Sequence, residues 1–154
     1  MSWTERTITV AVGAVIEDGD GRVLLVKHVP QRGGFWQKKW ICPGGRLQWA
    51  ESIEAGIRRE VREETNLEIS LTHPLVPFER IESGEGLHVI YIDYLARLVS
   101  GELKVGDDVG EALWVPKRDI WKRWDELHVD TRRLLQIAGL VEEGANIELG
   151  ATKS

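Results

Sequence analysis

The sequence predicts an α/β/α sandwich around a mixed β-sheet. Three observations predict it. β-branched and apolar runs of strand length recur along the chain. A long uninterrupted helical stretch stands between the strands, and an amphipathic one follows the last of them. Helices between and after strands in this mixed order cover both faces of one sheet. The 154 residues are enough for a single domain, expected over 1–154, and 42% hydrophobic with 29% charged content fits a globular chain.

In chain order, Thr7 to Ile16 is β-branched and apolar and reads as a buried strand. Glu17 to Gly21 is turn chemistry, and Arg22 to Val29 returns as the second arm of a hairpin. His28, near its end, reads as a satisfied strand residue rather than a ligand. Pro30 to Lys39 is a loop, with two readings open. It is an ordinary surface loop, or Phe35 or Trp36 stacks on a ring and Lys38 or Lys39 reaches an anion. Trp40 to Cys42 is expected as a short strand leading into Pro43-Gly44-Gly45, where glycines allow close backbone approach. A helix is expected from Ser52 to Asn66, then a strand over Leu67 to Leu71. Phe78 to Ile81 and His88 to Leu98 follow as strands, the second apolar on both parities as a central strand is. Asp93 interrupts it; it pairs with Arg97 across a face or lines a cleft. Glu111 to Val115 is the last strand, and Pro116 begins a turn into a short helix around Arg118 to Trp121. Val129 to Leu140 is an amphipathic helix that covers one sheet face. The tail, 144–154, carries no pattern and is expected to fray.

The helix from Ser52 carries the chemistry. Ser52 is a good N-cap, Glu54 suits the first turn, and Ala55 denies it a capping box. Gly56 costs about 1 kcal/mol against Ala, so packing must hold the helix. Ile53, Ile57 and Val61 mark the buried face. At about 100° per residue from Ile53, Glu60 lies near −20°, Glu64 near +20° and Glu63 near −80°. Two of three acids therefore share the apolar face, where an unpaired charge is costly. They also repel one another. Arg59 answers part of this charge, and a hard divalent cation such as Mg²⁺ answers the rest. Asn66 suits a left-handed helix exit.

Six acids (Glu51, Glu54, Glu60, Glu63, Glu64, Glu68) gather here in a chain of net charge −5, which argues against broad nucleic-acid binding. A polyphosphate stays admissible, because metals bridge acid to phosphate. The single Cys42 excludes an intrachain disulfide and reads as a small core residue rather than a nucleophile. There is neither a signal-peptide pattern nor an apolar run of membrane-spanning length. A cytoplasmic protein without membrane partners is expected.

From Gly45, residues fall at fixed offsets: Glu51, Arg59, Glu60, Val61, Glu63, Glu64 and Leu67. This resembles the Nudix box of the Nudix hydrolases, G-x5-E-x7-R-E-U-x-E-E-x-G-U, with U aliphatic. Asn66 stands where the pattern has Gly. By itself, Arg59 to Glu64 also reads as a solvated acidic helix; the preceding Pro43-Gly44-Gly45 and Glu51 at its offset argue against that. The resemblance implies hydrolysis of a nucleoside diphosphate linked to another group, with Mg²⁺, or alternatively Mn²⁺. It implies Glu60, Glu63 and Glu64 as metal ligands with the Gly44 carbonyl, and Arg59 with Glu51 as an orienting pair. Glu60 is the first candidate for general base. Glu111 is the second and a further metal ligand; Asp107 and Asp108 are third. Trp121 and Trp124, three apart, either border a base pocket or pack in the core. ADP-ribose pyrophosphatases of the family often carry Pro about fifteen residues past the box, where Glu82 and Ser83 stand. Dinucleoside polyphosphate hydrolases often carry Tyr slightly later, where Gly84 and Glu85 stand. A nucleoside triphosphate is therefore the expected substrate by default, and a homodimer stays open. The alternative from another class is a nucleotide or metabolite sensor without catalysis.

Overall fold

The strands assemble by alternation. In β1 (Thr9–Glu17), Val12, Ala14 and Ile16 turn to one face and Val15 to the other. In β2 (Arg22–His28), Leu24 joins the first face while Val23 and Leu25 join the second. Two cores follow, one on each side of one sheet. The structure, a computed structural model, describes residues 6–30 and 38–141. The expected frayed tail, 144–154, lies outside them.

The remaining elements are β3 (Gly44–Arg46), α1 (Ile53–Thr65), β4 (Glu68–Pro74), β5 (Phe78–Glu82), β6 (Leu87–Ser100), β7 (Val109–Pro116) and α2 (Val129–Ile137). The sheet runs β4-β6-β1-β2-β7, with β3 also on β1 and β5 also on β6. β1 and β6 are parallel, and the other pairs are antiparallel. Ile57 and Val61 of α1 close one core. Ile120 and Trp124, from a 3₁₀ segment over Lys117–Glu126, close the other with Leu134 and Leu135 of α2. This is the expected sandwich around a mixed sheet.

β1 forks, and the fork positions the site. Its end pairs with β2 at Glu17, while its first half pairs with β3 from Ala11 to Gly13. The short strand expected over Trp40–Cys42 is instead two isolated bridges, Ile41 to Val26 and Trp40 to Leu127. Pro43 has no N–H to continue a ladder, so the paired strand begins after it. β4 runs on through His73 to Pro74, which an edge strand tolerates.

Candidate active site

The site begins with helix α1 held at both ends. Ser52 Oγ accepts from the Ala55 N–H, and Asn66 closes the helix with φ 64° and its N–H on the Arg62 carbonyl. Ile57 and Val61 sit wholly inside, which fixes the rotation of the helix. That rotation turns Glu64 inward, 5% exposed, leaves Glu60 half-buried and Glu63 exposed.

β3 meets these acids. The bonds Leu47 N–H to Val10 and Ala14 N–H to Pro43 bracket the β1–β3 pairing. By the alternation of an antiparallel ladder, the N–H and C=O of Gly44 then point away from β1. That N–H donates to Glu64 Oε1 at 2.8 Å. Glu64 Oε2 lies 3.0 Å from His28 Nε2. Burial raises the Glu64 pKa, against the pull of His28 and the Gly44 N–H. A side chain at Gly45 would meet the Glu60 carboxylate and force it to shift, so the glycine lets Glu60 lie against the strand.

Arg59 ties loop to helix. Its Nε donates to Glu51 Oε2 at 2.6 Å and its Nη2 to Glu51 Oε1 at 3.0 Å. Nη2 also donates to the Arg46 carbonyl at 3.1 Å. The fork holds Glu51 below the usual carboxylate range and raises Arg59 in turn. Nη1 donates to both Glu60 Oε1 at 2.8 Å and Glu63 Oε2 at 3.2 Å.

Among the described residues no three acids, histidines or cysteines converge as a ready metal nest. Instead Arg59, His28 and the Gly44 N–H hold the acids. The donor set nonetheless fits a hard cation. Glu60 and Glu63 meet at one positively charged nitrogen, and carboxylate and carbonyl oxygens are what Mg²⁺ takes.

Beside Gly44 and Gly45 a cavity of about 190 Å³ opens between the sheet and α2. Phe78 and Tyr91 stack in its wall, centroids 4.7 Å apart. Asp130, buried, accepts from Arg80 at 2.7 Å and 3.0 Å and from the Tyr91 hydroxyl. Asp93 also lines the cavity, and burial pushes it up to about 7. It does not pair with Arg97, since four strand residues span about 13 Å. Cys42, also in the wall, has its thiol pushed up by burial first and by Asp93 second, so it is no nucleophile.

Several expected residues lie elsewhere. Phe35 and Trp36 fall outside the described residues. Lys38 is exposed, and Lys39 Nζ donates to the Asp125 carbonyl at 2.8 Å, tying loop to 3₁₀ segment. Neither lines the cavity. Trp124 is 4% exposed in the core with Arg132 over its ring, and Trp121 is 50% exposed beneath Lys122. Both are absent from the cavity wall, so the base-pocket reading of this pair gives way to the core reading for Trp124. Glu111 turns to the other side of the sheet. Ala112 and Trp114 face α1, Leu113 faces α2, and Glu111 follows Leu113 by strand alternation. Its partner is Lys27 at 3.9 Å. Asp107 and Asp108 do lie on the α1 side, on a loop whose Gly106 N–H donates to the Glu64 carbonyl. Phe78, Tyr91 and Asp130 carry no local mark in the sequence, because three separate elements bring them together.

The Nudix domain family model matches residues 7–136. The chain belongs to the Nudix family. An ADP-ribose pyrophosphatase of Methanocaldococcus jannaschii is 35% identical over 105 residues, 67% of this chain and 59% of that one. Nucleoside triphosphatase NudI of Escherichia coli is 30% identical over 131 residues, 79% of this chain and 91% of that one. The chain thus spans little more than half of the first relative and nearly all of the second. A MutT Nudix hydrolase from Burkholderia pseudomallei superposes with a TM-score of 0.71 at 28% identity, covering 85% of this chain and 98% of that one. Nudix members generally use divalent metals, and the box acids of this chain occupy one end of the sheet fork.

Proposed function

We propose that this protein hydrolyses a phosphoric anhydride bond in a nucleoside diphosphate derivative with a divalent metal, a nucleoside triphosphate being the favoured substrate. The observation that carries the reading is the placement of the box acids along one side of α1, with Glu64 on the Gly44 N–H, Glu60 against Gly45, and Glu60 and Glu63 sharing one Arg59 nitrogen. The resemblance to NudI over 91% of that protein's length favours the triphosphate.

A bound ion supplies positive charge to the phosphates and acidifies an attacking water. Glu60, Glu63, Glu64 and the Gly44 carbonyl would hold it. Arg59 and Glu51 fix the loop against the helix, so these oxygens keep their positions. Glu60 is the leading general base. Asp107 and Asp108 follow it, on the loop bonded to α1, and Glu111 ranks last on the far face. Water oxygen bonds to phosphorus, the bridging P–O bond breaks, and the base takes the proton.

The test is a panel of nucleoside triphosphates, ADP-ribose and dinucleoside polyphosphates, assayed with Mg²⁺ and with chelator. Metal-dependent release of nucleoside monophosphate is expected. Absence of turnover throughout, with metal bound, would overturn the reading in favour of a sensor.

A further inference from the structure

Asp93 stands in the middle of β6, 7% exposed, and its carboxyl lines the cavity beside the box. No described residue donates a hydrogen bond to that carboxyl. Its neighbour Asp130 is the opposite case, with Arg80 on one oxygen and Tyr91 on the other. A buried polar group without a partner costs about 1–3 kcal/mol, so Asp93 depends on whatever occupies the cavity, water or ligand, for its hydrogen bonds. Tyr91 lies two residues away on the same strand and shares its face. Its ring, stacked on Phe78, stands in the wall of the same cavity. The cavity is smaller than the 300 Å³ or so that a whole drug-sized ligand needs, which suits one ring system of a larger substrate. Gly44 and Gly45 form its other border, so whatever is bound here is next to the acids.

We propose that Asp93 reads the base of the substrate, its two oxygens accepting the adjacent N–H donors of a guanine. A carboxylate to which no described residue donates can accept from a fork of two parallel donors, as it does with arginine. Of the common bases only guanine carries a ring N–H beside an amino group. This rests on the nucleotide-hydrolase reading above.

The test compares guanosine triphosphate with inosine triphosphate, which lacks only the amino group, at pH 8.5 with Mg²⁺. Both kcat/KM and Kd (calorimetry) are measured in wild type and in Asp93→Asn. Wild type should favour guanosine about ten- to hundredfold in both quantities. Asp93→Asn puts an amide donor against one guanine N–H, and the ratio should fall to about one. A wild-type ratio near one, or a ratio that persists in Asp93→Asn, would overturn the assignment while hydrolysis stands. A Kd ratio that depends on Asp93 without any turnover would instead support the assignment and refute the hydrolase reading.

Discussion

Glu64 is the residue on which fold and chemistry meet. It is buried, yet both oxygens are engaged by the Gly44 N–H and His28. Glu64→Gln keeps the shape and an acceptor for Gly44, so the melting temperature should hold. Metal affinity should fall, and kcat by about a hundred- to a thousandfold if the carboxylate's charge is what the site uses. Wild-type turnover in this variant removes Glu64 from the site. Asp93 makes a separate prediction about stability. Its pKa rises from 3.8 to about 7 by burial, so the folded state favours the protonated acid. That contribution is complete below pH about 4 and disappears as pH rises through about 7. Asp93→Asn should therefore flatten stability between these values and leave the protein more stable at pH 8. Urea melts at pH 5 and pH 8 check this; an unchanged pH slope refutes it.

At the scale of elements, α1 depends on its ends and on what its first turns leave open. Ser52→Ala removes the N-cap acceptor and should cost about 1 kcal/mol with little change in KM. Gly56 is the less obvious case. Helix propensity says Gly56→Ala should gain about 1 kcal/mol. A Cβ there, however, would press on Leu47 and on the Glu51 oxygen that Arg59 holds. The gain should be absent, and kcat should fall as the Glu51–Arg59 fork is displaced. A more stable variant with wild-type kcat would show that the fork tolerates the intrusion.

For the molecule as a whole, the two tryptophans of the 3₁₀ segment answer differently, because only Trp124 belongs to a core. Trp124 packs with Ile120, Leu127 and Leu135 beneath the sheet. Trp124→Ala should cost about 3–5 kcal/mol and leave KM for nucleotide unchanged. Trp121 is half exposed, and Trp121→Ala should be near neutral in thermal melts. A raised KM in either variant with an unchanged melting temperature would return that tryptophan to the substrate site.

The sequence by itself determined what depends on neighbours along the chain. Ser52 and Asn66 bound α1 because capping is a local matter of one side chain or one φ. The order of the acids around α1 follows from 3.6 residues per turn, so the burial of Glu64 and the exposure of Glu63 are legible in their spacing from Ile57 and Val61. The sandwich followed from the alternation of strands and helices. Tertiary structure decided the rest. Glu111 lies on the far face because the register of β7 on β2 sets its parity, and nothing in Glu111 to Val115 states that register. Tyr91, Asp93 and Asp130 share a cavity because β6 lies beside β1 in the sheet and the start of α2 packs against that face. His28 becomes the partner of Glu64, 36 residues along, only when β2 lies beside α1. Such meetings join residues remote in sequence, and the packing of the two cores rather than any local preference brings them together.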